Sequence, residues 1–480
     1  MSRRGARRVV VPGLVLIGGL AVSPLCAAPA TPPAPSSPAR AAAAPAAPPI
    51  LAGAAVRNIT PDIGPEAQPV GMAGFSIGRI AEGVRDDLQA RALVLEGGAG
   101  PVAIVTLDLY GLTRTDVERI RAAVRSRPDA PRFGGIMVAA TRTHAGADAT
   151  GQFVAAGLAV DPAWKDRIVR AAAEAVESAW RDRRPARLSF ATARLPRLIA
   201  DTRQPTRLDD RAVLLRIESA SGRNGIATLA GFAATPESLG RKSRLLSADY
   251  PGDLRRALEE GFGGIALFLT GASGGRMTPV PPAGTDPAVA PAEVGRAIAR
   301  GLQVAWSERE EAREAAPGDA VQGTIEWKSA AVHLTAEPEA PRAASLFGAG
   351  GGASDPAGGR TTEVGVLTLR TDAGLALQIA CIPGSIYPEL VLGGIPDPQD
   401  PAADLPGAAR ETPLKDLLRA PLRMVAGPCG DDLGEIIPAS EWDERAPFAY
   451  GLKSPQRGEE TSPGPGTAAA LLKALGDLLR

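Results

Sequence analysis

From Leu51 onward the chain alternates between short unbroken apolar runs and longer stretches whose apolar residues recur every three or four positions. The first pattern is that of a buried strand, the second that of a helix with one buried face. PVAIVTLDL (101–109) and GGIMVAAT (134–141) read as strands. Between them TDVERIRAAVRSR (115–127) reads as a helix, with Thr115 as its N-cap. DPAWKDRIVRAAAEAVESAWRDRR (161–184) reads as a long helix capped by Asp161, with Pro162 in its first turn. RAVLLRIES (211–219) and GIATLAGFAA (225–234) form a strand pair around a turn at 222–225. SADYPGDLRRALEEGF (247–262) begins a helix, GGIALFLTGAS (263–273) returns a strand, and APAEVGRAIARGLQVAWSERE (290–310) is helical again.

After about Gly318 the pattern turns to strands: 321–337, 362–371 and 374–384, with a Gly-rich stretch at 346–360 and a final amphipathic helix at 464–480. No internal repeat is visible. The order of elements predicts an α/β domain that becomes more β-rich toward its C-terminal half. Composition adds exclusions. Basic and acidic residues number 53 each, and no long basic stripe exists, so binding to nucleic acid through its phosphates has no support. Gly and Pro, at 55 and 45 residues, predict many turns and an unstructured segment.

The N-terminus reads as an address. A basic start is followed by an apolar run from Val9 to about Leu25 and then by small residues, the layout of a secretory signal over 1–28. Pro12 and Pro24 and the shortness of the run argue against a permanent span. SRR and SPLC allow a twin-arginine signal or a lipoprotein at Cys26 as lesser variants. The Pro/Ala-rich stretch 29–50 reads as a linker and 51–480 as the folded domain. The expected location is secreted, periplasmic or cell-envelope, with no transmembrane span in the mature chain. There Cys381 and Cys429 are either a disulfide or two buried thiols.

Candidate chemistry is limited by histidine. Only His144 and His333 exist, which rules out a histidine-rich metal site and leaves little choice for a Ser–His triad. His333 alternates within a strand and reads as structural. His144 lies in AATRTHAGAD (139–148), a small-residue turn after a strand, with the cation Arg142 two places before it.

Several segments in order resemble the neutral ceramidase family, secreted zinc amidohydrolases. They are VRNITPDIG (56–64), VGMAGF (70–75), GVRDDLQARALVLEGG (83–98), VAIVTLDLYGL (102–112), AATRTHAGAD, GFAATPESLGRKSRLLSADYPG (231–252), LTGASGGRMTP (269–279), CIPGSIYPEL (381–390) and DDLGEIIPASEWDE (431–444). The resemblance covers about 51–480. It implies a multilayer mixed-sheet α/β domain, without room for the family's C-terminal β-sandwich. The family's zinc ligands are a histidine of a T-H-T-H turn, the histidine of H-P-T-S, the glutamate of P-G-E and a tyrosine before I-I-P. They fall on Arg142, Thr235, Ser385 and Glu435, and all four differ. The aspartate of N-G-A-x-G-D falls on Gly275, and a further histidine falls on Arg85. The second histidine of the turn survives as His144, which in the family lines the site.

The resemblance therefore implies a zinc site that has lost its ligands, with no cofactor expected. A guanidinium has no lone pair for a cation and repels one. Glu435 is the natural ion-pair partner of Arg142. By the same map, Cys381 and Cys429 precede two segments that approach the metal in the family, so a Cys381–Cys429 disulfide is expected there. The leading expectation is a non-catalytic module for a lipid-like small molecule, or a scaffold, with any residual catalysis resting on His144. Three alternatives stand beside it. One is an active metal-dependent amidohydrolase acting on an N-acyl lipid through a rearranged set from His144, Asp148, Glu237, Asp249 and Glu435. Another is Ser385 as a nucleophile served by His144. The third is an envelope structural protein with no small ligand.

Overall fold

The computed structural model describes residues 48–98, 100–222, 224–311, 322–335, 359–372, 374–396 and 399–480. The signal reading at 1–28, Cys26, nearly all of the 29–50 linker and most of the Gly-rich 346–360 stretch lie outside the described residues. Ile50 is fully buried and Pro49 bridges to Gln322, so the packed body begins just ahead of Leu51.

An eight-stranded sheet forms the centre. Its strands are β1 (Leu51–Asn58), β2 (Gln89–Glu96), β3 (Pro101–Leu107), β4 (Gly135–Ala140), β5 (Arg184–Arg194), β6 (Arg211–Ser219), β7 (Gly225–Phe232) and β8 (Ile265–Thr270). The order across the sheet is β8-β7-β6-β5-β1-β2-β3-β4. β3/β4 and β7/β8 are parallel and the other neighbours antiparallel. β1 and β5 share only two register pairs, and the sheet curls enough for β8 to touch β2, β3 and β4. A second sheet of β9 (Gly323–Leu334), β10 (Arg360–Thr371), β11 (Gly374–Cys381) and β12 (Leu422–Ala426) ends in the parallel pair β11/β12.

Alternation along the strands explains the layering. In β2 and β3, Leu93, Leu95, Val102 and Ile104 face the second sheet and join Leu367, Leu369, Leu377 and Ile379. Their neighbours Ala92, Val94, Ala103 and Val105 face outward, under α1 (Arg114–Arg125) and α2 (Pro162–Arg181). The other half of the sheet is covered by α3 (Tyr250–Phe262) and α4 (Ala290–Glu311). The outer face of the small sheet is covered by α5 (Thr467–Leu479), through Leu471, Leu472 and Leu475. Each fully buried leucine or isoleucine contributes about 1.5–3 kcal/mol. The sheets approach closely around Trp327: a Cβ on Gly135 or Gly365 would lie within 2.4 Å of its ring. An alanine at Gly135 would push the two sheets apart, and one at Gly365 would displace the Trp327 ring within its own sheet.

Most elements fall where the patterning places them. One cap differs. α1 starts two residues early because Thr113, in extended conformation, accepts from the Asp116 N–H through Oγ1, while its own hydroxyl donates to the Asp116 carboxylate. Thr115 lies inside the helix. Asp161 caps α2 as expected, accepting from the Ala163 N–H, with Pro162 in the first turn. No helix among the described residues is long and apolar enough to cross a membrane.

Candidate functional site

Loops leaving the carboxyl ends of the three parallel pairs meet at one place. In open α/β sheets such ends are where crevices form. Hydrogen bonds sew the loops together. Thr270 Oγ1 at the end of β8 donates to Thr141 O after β4, and the Gly427 N–H after β12 donates to Thr270 O. The Thr235 N–H after β7 donates to Met277 O, and the Gly274 N–H donates to Ile386 O after β11.

Arg142 sits at the centre, 3% exposed, with φ at 64°. That left-handed conformation is costly for a side chain of this size, and such strain concentrates at functional sites. Asp249, Arg276 and Phe75, the last on the hairpin 71–80, share it. The guanidinium donates from Nη1 to Asp432 Oδ2 at 2.6 Å and lies 4.0 Å above the Tyr110 ring. Its Nη2 is 3.8 Å from Glu435 Oε1. The expected pairing with Glu435 is thus present, but Asp432 is the nearer partner.

Glu435 accepts from the Gly275 N–H through Oε2 and pairs in register with Ser385, in a two-residue parallel bridge. Burial raises its carboxyl from 4.5 to about 7, against the opposing pull of Arg142, the Gly275 N–H and Arg203. Gly275 has φ of 75°, and a Cβ there would touch the Tyr387 ring. Thr235 joins the group through Ser273 O, 3.5 Å from its Oγ1. Arg142, Thr235, Gly275, Ser385 and Glu435 therefore belong to one continuous chain of contacts. Arg85 does not: it pairs with Asp86 and with Asp253 on α3.

His144 flanks this group. Its ring lies 5.0 Å from Phe75 and 5.2 Å from Tyr110. Nδ1 is 3.5 Å from Glu237 Oε2 but makes no hydrogen bond. Burial, then Arg142 and Arg79, lower its pKa to about 3, so the ring is neutral and the approach to Glu237 is not an ion pair. Glu237 accepts from Thr278 Oγ1, and burial raises its carboxyl. Such a histidine is a weak base at neutral pH.

The other candidates are engaged elsewhere. Asp148 accepts from the N–H groups of Thr150, Gly151 and Phe153. Asp249 caps α3 and accepts from the N–H groups of Ser238, Leu239 and Tyr250. Among the described residues, no three His, Cys, Asp or Glu side chains gather as ligands, and no hydrogen bond joins Ser385 to His144. His333 is exposed in β9, with Nδ1 3.3 Å from Thr361 Oγ1. At the base of the Ser385 and Glu435 loops, Cys381 and Cys429 are joined as a disulfide, with Cα atoms 5.2 Å apart.

Sequence reading missed three participants. Tyr110 directly follows the 101–109 strand and supplies the face under Arg142. Asp432 lies in the same acidic run as Glu435 but was not singled out. Arg79 donates to Ala73 O, His144 O and Ser243 O, tying two loops to the turn. The run of acids at 431–435 was the one available signal for a partner to Arg142.

No protein-family model matches the chain, and no curated protein matches it in sequence. Solved structures do. Neutral ceramidase from Pseudomonas aeruginosa matches with a TM-score of 0.66 at 17% identity, over 90% of this chain and 74% of that one. A ceramidase complexed with C2 matches with a TM-score of 0.64 at 17% identity, over 90% of this chain and 75% of that one. The chain has a neutral-ceramidase-like fold.

Proposed function

We propose that this chain is a secreted or envelope protein of neutral-ceramidase type that has lost the zinc ligands and binds a lipid-like small molecule without hydrolysing it. The observation that carries the reading is the Arg142 guanidinium, buried against Asp432 and Glu435 at a position where the family places a ligand. The residues present do not fit zinc. The four ligand positions offer a cation, two hydroxyls and one carboxylate, and the neighbouring Asp432 carboxylate is taken by Arg142, where a zinc site wants three or four nitrogen, sulfur or carboxylate donors. Burial opposes the charge on Arg142, but Asp432, Tyr110 and Glu435 more than offset it and raise its pKa, so the cation persists. Without a metal to lower the pKa of a water and polarise a carbonyl, amide hydrolysis lacks its main driving element.

The competing reading is a hydrolase with a rearranged metal set. It needs Asp148 and Asp249, whose oxygens are already taken by backbone N–H groups. The discriminating experiment pairs elemental analysis of the purified protein with calorimetric titration and a turnover assay on a monomeric short-chain N-acyl lipid. The expected result is saturable binding, sub-stoichiometric metal and no released fatty acid. Stoichiometric zinc together with turnover would overturn the proposal.

A further inference from the structure

Two loops form a rim beside His144. One is the tip of a hairpin closed by the Gly71–Ile80 bridge, which carries Ile77, 64% exposed. Phe75 at that tip packs edge-on against the His144 ring. The other is the turn 240–245, closed by the Ser243 N–H donating to Gly240 O. It runs into a parallel pairing of Leu245–Leu246 with Gly83–Val84. Leu245 is 41% exposed and Val84 42%. The Arg79 guanidinium bonds Ala73 O, His144 O and Ser243 O at once, tying the hairpin, the site turn and the 240–245 turn together.

The rim is also cationic. Arg241 and Lys242 are exposed and adjacent, and among the described residues neither forms an ion pair, whereas Arg244 is half-buried with its Nη1 turned inward. The acids nearby are Glu82, exposed, whose N–H donates to Arg244 O, and Glu237, which is turned inward onto Thr278. Single exposed apolar residues need no explanation. Three of them beside the exposed cations Arg241 and Lys242, next to the His144 turn, have the composition of an interfacial anchor.

We propose that this rim docks the protein on an anionic lipid bilayer, with Ile77 and Leu245 entering the headgroup region and Arg241 and Lys242 held over lipid phosphates. The proposal rests on the lipid-ligand reading only for what the docked site would collect; docking itself is tested separately. The probes are vesicles of phosphatidylcholine, pure or mixed with phosphatidylglycerol, in a sedimentation assay. The wild type should pellet with the anionic vesicles and not with the neutral ones, less so as salt rises. Arg241→Glu/Lys242→Glu should weaken anionic-vesicle affinity roughly 25-fold or more, at about fivefold per cation. Ile77→Ser should weaken it less.

Circular dichroism and titration with monomeric N-acyl lipid serve as controls, since both variants should fold and bind the monomer as the wild type does. Vesicle binding in a protein that ignores the monomer would support the docking surface and remove the ligand reading. Equal pelleting on neutral vesicles, unchanged pelleting of the double variant, or retention on a soluble polyanion without vesicle binding would each overturn the proposal.

Discussion

Glu435 holds two opposing demands. Its carboxylate faces Arg142 at 3.8 Å, yet burial is the larger influence and lifts its pKa to about 7. A carboxyl whose folded pKa exceeds its unfolded value keeps a proton that the unfolded chain has lost. Its contribution to stability is therefore full below about 4.5 and disappears as pH rises through about 7. Glu435→Gln removes that titration. Measured by urea denaturation at several pH values, the variant should gain on the wild type between about pH 5 and pH 8, by up to about 3 kcal/mol. A variant that instead loses ground at pH 8 would mean that pairing with Arg142 outweighs desolvation. Arg142 was legible because the T-R-T-H turn marks its place. Asp432 was not, because it lies 290 residues away along the chain and the acidic run at 431–435 does not say which of its members meets Arg142.

At the level of elements, one buried pair fixes the helix behind the site to the strand in front of it. Arg255 on α3 donates two hydrogen bonds of 2.7 Å to Asp108, just past the end of β3. The same carboxylate accepts from the Gln89 N–H, which adds β2 to the joint. Both side chains are almost wholly buried. Breaking one partner of such a pair leaves a buried charge uncompensated and costs about 3–5 kcal/mol. Asp108→Asn should lower stability by that order in urea melts. Adding Arg255→Met should recover part of the loss, because the stranded cation is gone. A double variant no better than the single would mean that packing dominates the cost. Strand and helix periods were legible in most of the longer elements, but β1, β2 and β5 were not read as strands, and Arg184, read as the end of a helix, opens β5. The bridges Gly83–Val84 with Leu245–Leu246 and Ser385–Ile386 with Glu435–Ile436 were not legible. Two residues carry no period, and those bridges exist because distant loops are brought together.

Across the whole molecule, the segment 427–430 joins the two sheets. Its Gly427 N–H donates to Thr270 O at the end of β8, and Pro428 O accepts from the Ala140 N–H at the end of β4. The Gly430 N–H donates to Val138 O, and Cys429 is bonded to Cys381 at the end of β11. Residue patterning predicted the α/β class and the family resemblance implied the layers, but neither gave this junction, because strand order and loop convergence depend on pairings the sequence does not spell out. The disulfide closes a loop with a sequence separation of 48, for which chain entropy gives about 4 kcal/mol as a ceiling. The same segment leads into Asp432 and Glu435, the partners of Arg142, so loosening it should act on the site as well as on the fold. Cys429→Ser, or reduction of the wild type, should lower stability by about 2–4 kcal/mol. It should also weaken binding of the monomeric N-acyl lipid in calorimetry. If stability falls while binding stays intact, the Arg142 cluster is held by its own ion pairs and the staple serves the fold alone. If neither changes on reduction, the backbone hydrogen bonds of 427–430 suffice to join the sheets.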